Sequence, residues 1–86
     1  MSAVLPVRVT VQDVWDEVLL EVPPGTPLGE VKRRALAATR VTADPASYLL
    51  KFRGAALEDE TRSLTEAGVV PNGALIVVPW RRRPVR

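Results

Sequence analysis

Apolar and polar positions along this chain alternate, lengthen their period, and then alternate again. Val7, Val9 and Val11 interleave with Arg8, Thr10 and Gln12, the period-2 pattern of a half-buried strand. Asp13-Val14-Trp15-Asp16 makes a short polar break around one tryptophan. Val18, Leu20 and Val22 then alternate again, with Glu17 and Glu21 turned outward. Two alternating runs joined by so few residues predict an antiparallel hairpin. Pro23-Pro24-Gly25 ends it, because proline has no N–H to give to a ladder.

The period then becomes helical. Leu28, Val31, Ala35 and Leu36 fall on one face, with Thr26 as the expected cap and Pro27 at the first helical position. Glu30, Arg33, Arg34 and Arg40 lie away from that face, and Glu30 can pair with Arg33 or Arg34. Asp44-Pro45 marks the turn out of the helix, since the residue before proline is pushed away from α geometry. Tyr48, Leu50 and Phe52 alternate with Leu49, Lys51 and Arg53 as a third strand. Arg53-Gly54 turns into a short segment that buries Leu57. Residues 58–63 form a charged loop, and Leu64, Ala67 and Val69 return to the core. Pro71-Asn72-Gly73 is a turn signal, and the apolar residues 75–78 read as a central strand.

Hairpin, helix, strand, short strand and final strand predict an α+β fold. The economical packing is one helix laid across a mixed sheet of four to five strands. No repeat or linker divides the chain. Residues 1–80 are expected to form one domain and 81–86 a basic tail, expected to be flexible.

Composition narrows the chemistry. At 86 residues the chain buries only about 60–65% of its unfolded surface, so its core must be efficient. There are no cysteines and no histidines, which removes disulfides, thiol chemistry, imidazole bases and the usual zinc sets. The ten carboxylates are scattered and no glycine-rich phosphate loop is present, so neither an enzyme nor a cofactor is expected. Glu58-Asp59-Glu60 reads as a solvated acidic loop rather than a cation site. No apolar run approaches the roughly 20 residues that span a bilayer, and residues 1–6 lack the features of a secretory signal. A cytoplasmic location is therefore expected, with no membrane insertion.

The net charge of +2 is a property of one end. Arg81, Arg82, Arg83 and Arg86 supply four of the 12 basic residues, leaving 8 against 10 acidic ones in the rest, a net of −2. The tail can be a solvated end, a dock for an acidic protein, or a nucleic-acid contact with a salt slope of about −3 to −4. No interleaved aromatics or basic helical face extend it into the body, which ranks nucleic acid last.

Several stretches resemble ubiquitin. Leu20-Glu21-Val22, Thr26 and Val31-Lys32 are similar to its second strand and helix start, with one extra residue before the valine. Leu50, Phe52, Gly54, Leu57-Glu58-Asp59, Arg62 and Leu64 resemble the following stretch, again with one insertion. Leu75, Val77 and Val78 match the final strand, so the likeness runs from Val7 to about Trp80. It implies a ubiquitin-like β-grasp and a mostly buried Lys32 held in a partly buried pair with Asp59. Such a pair fixes loop position more than it adds net stability.

The same resemblance implies a partner-reading sheet face formed by Leu49, Lys51, Ile76 and Val78, with Trp80 beside them and Trp15 at the hairpin tip. Lys51 takes the place of the central isoleucine, so receptors for ubiquitin are expected to bind poorly. The remaining apolar surface still has the character of an interface. Trp80 is open to two roles, interface or cover over the sheet end. Arg83-Pro84 stand where ubiquitin and the sulfur carriers have Gly-Gly, and the last glycine is Gly73. The expectation is an unconjugated adaptor that binds another protein, as a monomer or weak homodimer. The alternative is a modifier or sulfur-carrier relative using a terminus without diglycine. Leu64-Thr65-Glu66-Ala67-Gly68-Val69 followed by Asn72-Gly73 resembles a bacterial subgroup that includes the ubiquitin-like components of type VII secretion systems.

Overall fold

The computed structural model describes residues 4–42 and 44–79. Strands β1 (Leu5–Val11) and β2 (Asp16–Val22) form the hairpin, followed by α1 (Leu28–Ala38) and a 3₁₀ turn at Pro45–Ser47. Then come β3 (Tyr48–Phe52), β4 (Ala55–Ala56) and β5 (Gly73–Pro79). The sheet order is β2-β1-β5-β3-β4, with β5 parallel to β1 and the other pairs antiparallel. The apolar last strand is thus central, as its composition predicts. One helix lies across a mixed five-stranded sheet, the β-grasp arrangement.

The alternating residues place the core on one face of that sheet. Leu5, Val7, Val9 and Val11 of β1, Leu75 and Val77 of β5, and Tyr48, Leu50 and Phe52 of β3 are buried. They meet Leu28, Val31, Ala35 and Leu36 from α1, and Leu64 and Val69 from the long connection into β5. Val18 and Leu20 are only half-buried because β2 is an edge strand with a neighbour on one side.

Both helix ends depart from the expectation. Pro27 is the cap rather than the first helical residue, and no side chain caps the helix. The amides of Leu28 and Gly29 donate instead to the carbonyls of Arg62 and Glu60, at 2.8 and 3.0 Å. Backbone from a distant loop therefore satisfies the free N–H groups that every helix start presents. At the other end Arg40 adopts φ +62°. Val41 N–H donates to the Leu36 carbonyl and Arg40 N–H to that of Ala37, a Schellman closure. The helix ends there, well before Asp44, whose carboxylate accepts from Ala46 N–H and caps the 3₁₀ turn.

Candidate protein-binding face

Strand register assembles the outer face of the sheet. Leu49 pairs with Val78 and Lys51 with Ile76 across β3 and β5, while Ile76 lies beside Thr10, and Ala74 beside Arg8, of β1. Since the alternate residues of these strands are buried against α1, this set points the other way. Ile76 is 44% exposed, and Leu49, Lys51 and Val78 are half-buried. The sequence reading thus brings four of its expected contact residues onto one surface. Ile76 and Val78 line an open groove of about 630 Å³ with Val70 and Ala74, edged by Lys51 and Arg53.

Three residues of this surface were not singled out from sequence. Val70 stands exposed on the turn into β5. Leu19, 59% exposed, pairs with Arg8 on the outward phase of β2. Its signal was present in the apolar run Val18-Leu19-Leu20, where strict alternation requires one member to face out. Arg53 sits at φ +55° next to Gly54 at +79°, forming the two-residue turn between Phe52 and Ala55, and its guanidinium lies 5.2 Å above the Phe52 ring. Arg8, Lys51 and Arg53 make the face cationic, with Glu17 and Glu21 along its β2 edge.

At the hairpin tip Trp15 is 78% exposed and adopts φ +52°, a left-handed conformation rare for a bulky residue. Its amide donates to the Gln12 carbonyl at 3.2 Å. The tip is tied down by Tyr48, whose hydroxyl donates to Asp13 Oδ2 at 2.5 Å. That bond, with burial and the nearby negative charge, pushes the Tyr48 hydroxyl above the ordinary tyrosine range. Trp80, Arg81, Arg82, Arg83 and Arg86 lie outside the described residues.

The expected ion pair takes a different partner. Lys32 is buried, and its ammonium donates to Glu60 Oε2 at 2.5 Å and to the Tyr48 carbonyl at 3.0 Å. Asp59 instead accepts from the amide and hydroxyl of Thr61, at 3.1 and 2.5 Å. Those bonds hold its carboxyl below the usual range. The reason is local: the Glu60 carbonyl is pinned to Gly29 N–H, which aims the longer side chain along the helix to Lys32. Within the acidic loop the three carboxylates diverge, with Glu58 exposed. On α1, Glu30 accepts from both Arg33 and Arg34, which lowers its pKa. Among the described residues no group of three or more His, Cys, Asp or Glu is placed to hold a metal ion. No helix there is long and apolar enough to cross a membrane.

No protein-family model matches the chain, and no curated protein does. Solved structures do. Ubiquitin from Caldiarchaeum subterraneum superposes with a TM-score of 0.76 at 23% identity, covering 96% of this chain and 98% of that one. The ubiquitin-like domain of an Arabidopsis thaliana protein gives 0.77 at 17% identity over 98% of this chain and 85% of its own. A protein designed on the basis of ubiquitin gives 0.78 at 17% over 98% of both. Identities this low speak to architecture alone, and they establish that this chain has the ubiquitin-like β-grasp fold.

Proposed function

We propose that this domain is a non-enzymatic module that binds another protein through the outer face of its sheet and is not itself conjugated. The observation that carries this reading is the β3–β5 register, which sets exposed Ile76 against Lys51 and Val78 against Leu49 on a face that α1 leaves uncovered. Apolar anchors ringed by charge are the composition of a protein interface rather than of a solvated sheet. With Lys51 and Arg53 edging the groove and Arg8 beside Ala74 on the next strand, the fitting partner presents apolar side chains among carboxylates. Arg81, Arg82, Arg83 and Arg86 would add attraction for such a partner. The motif at residues 64–69 and 72–73 favours a bacterial, cytoplasmic setting, such as an accessory of a secretion system.

The test is capture from native cells with an N-terminal tag, read by intact and denaturing mass spectrometry, with Ile76→Ala and Val78→Ala alongside. The expected result is an unmodified chain whose partners leave on denaturation and are lost in both variants, while the unfolding midpoints stay close to the parent. Capture unchanged by either substitution refutes the outer face as the site. A covalent adduct that survives denaturation refutes the binding module and establishes a modifier.

A further inference from the structure

The registers of three strand pairs lay the outward side chains in rows across the sheet. Thr10 of β1 pairs with Glu17 of β2 on one side and with Ile76 of β5 on the other, and Ile76 pairs with Lys51 of β3. One row therefore runs Glu17, Thr10, Ile76, Lys51, with a carboxylate at one end and an ammonium at the other. In the next row Arg8 lies between Leu19 and Ala74. Extending the β3–β5 register by one residue brings the exposed Arg53 level with Ala74. Glu21 stands exposed farther along β2. Among the described residues neither Glu17 nor Lys51 forms an ion pair.

The β2 edge of this face thus carries the chemistry that fits its β3 edge: Leu19, 59% exposed, between the carboxylates of Glu17 and Glu21. A two-fold axis can bring the two edges together. An axis running along the strands, between β1 and β5, turns a second copy over so that its β2 lies on β3 of the first, and the reverse. Each row is then laid end for end on itself. Glu17 meets Lys51 of the second copy at both ends, Thr10 covers Ile76, and Arg53 falls between Glu17 and Glu21. An axis running across the strands sets β2 on β2 and β3 on β3, so that like charges meet. Charge selects the first axis, which gives the aligned packing of two sheets about 10 Å apart and about 30° askew.

We infer that the outer face takes a second copy of this chain, and that the two pair face to face about an axis parallel to the strands, with two Glu17–Lys51 contacts flanking Ile76. The inference rests on the outer-face reading and names one occupant of that face. Size makes the dimer weak. The face from β2 to β3, on strands of seven residues in β1, β2 and β5, covers about 400 Å² of sheet. A stable complex buries roughly 800 Å² per partner. Pairing therefore sets in at high concentration, and it gives way to any partner that offers more apolar area or more carboxylates to the same groove.

Sedimentation equilibrium of the full-length protein, from about 10 μM to about 1 mM, reads the pairing. The expected result is a reversible monomer–dimer equilibrium that weakens as salt rises. Glu17→Lys and Lys51→Glu should each weaken it by about tenfold or more, because each sets like charges together at both contacts. Mixed in equal amounts, the two variants should associate as the parent does, since each supplies the charge that the other now needs. The double variant Glu17→Lys/Lys51→Glu should also self-associate as the parent does. Amide signal dispersion verifies the fold of each. Arg53→Glu, at an exposed turn position, should weaken pairing without touching the half-buried Lys51. A monomer over the whole range overturns the inference. So does association that ignores the single reversals, or a loss that mixing does not restore. None of these touches the outer-face reading, which falls if Ile76→Ala leaves partner capture unchanged.

Discussion

Lys32 and its two acceptors allow a prediction in which two partners of one ion pair differ in cost. Lys32 is 3% exposed, whereas the Glu60 side chain keeps 32% of its surface in water. Breaking a fully buried pair by removing one member costs about 3–5 kcal/mol. Glu60→Ala leaves a buried ammonium with only the Tyr48 carbonyl, and access of water to this side of the pair reduces the loss to about 2–3 kcal/mol. Alanine retains the Cβ that lies over Gly29 and the carbonyl that caps α1, so the loss reports the charge. Lys32→Met removes the charge from the buried side and lets the carboxylate turn to water. Its main cost is the bond to Tyr48, about 1 kcal/mol.

The assay is urea unfolding followed by circular dichroism. With a slope of about 1 kcal/mol/M for a domain of this size, the midpoint should fall by about 2–3 M in Glu60→Ala and about 1 M in Lys32→Met. Asp59→Asn should leave the midpoint in place, because an amide oxygen can still accept from Thr61. If Lys32→Met is as costly as Glu60→Ala, or if Asp59→Asn matches Glu60→Ala, the assigned pairing is wrong.

Other consequences are equally direct. A Cβ at Gly73 would lie 2.9 Å from the Val70 carbonyl oxygen, so Gly73→Ala should cost about 1–3 kcal/mol, seen as a drop in Tm of about 4–8 °C per kcal/mol. Gly25→Ala, facing open space, is the control, and equal shifts would discard the steric argument. Trp15→Asn places a residue suited to the left-handed region at φ +52° and should raise stability by up to about 1 kcal/mol; a lower Tm would show that the indole packs on the fold. Tyr48 is the chain's single tyrosine, so absorbance at alkaline pH follows it alone. Its raised pKa means that the stabilising contribution is complete below the ordinary value near 10 and is lost as pH rises through the folded value. Asp13→Asn should bring the titration back toward the ordinary range, and an unchanged curve would refute the Tyr48–Asp13 bond.

How much of this was legible depended on the distance over which each cause acts. Alternation in residues 7–11 and 48–52 follows from one sheet face being buried and identified those strands directly, while the unbroken apolar run at 75–78 marked the central strand. The helix ends were less legible because their causes are not local. Leu28 and Gly29 find acceptors more than thirty residues later, and no pattern around Pro27 encodes that. The C-terminal closure puts Arg40 where glycine or asparagine would have announced it. The resemblance pointed Lys32 to Asp59, and the bond goes to Glu60 instead because the loop is anchored by the Glu60 carbonyl on Gly29 N–H, which no local pattern encodes. Within the outer face, Leu49, Lys51, Ile76 and Val78 came from the resemblance to ubiquitin, whereas Val70 and Arg53 join the groove through turn geometry that no strand pattern announces.

The outer face combines two kinds of contact, and that makes them separable in one binding experiment. Ile76 and Val78 supply apolar anchors while Lys51 and Arg53 supply charge at the edge of the groove, so a partner that fits presents apolar side chains among carboxylates. Ile76→Ala removes an anchor and should weaken binding by a factor that salt leaves nearly unchanged. Lys51→Gln removes a rim charge and should act mainly on association, an effect that shrinks as salt rises. Affinities of both variants for the captured partner, measured at low and high salt, decide the matter. A salt-insensitive loss at Ile76 beside a salt-sensitive one at Lys51 is the expected pair. Full affinity in Ile76→Ala, or a loss in Lys51→Gln that salt leaves unchanged, would refute this division between anchor and rim.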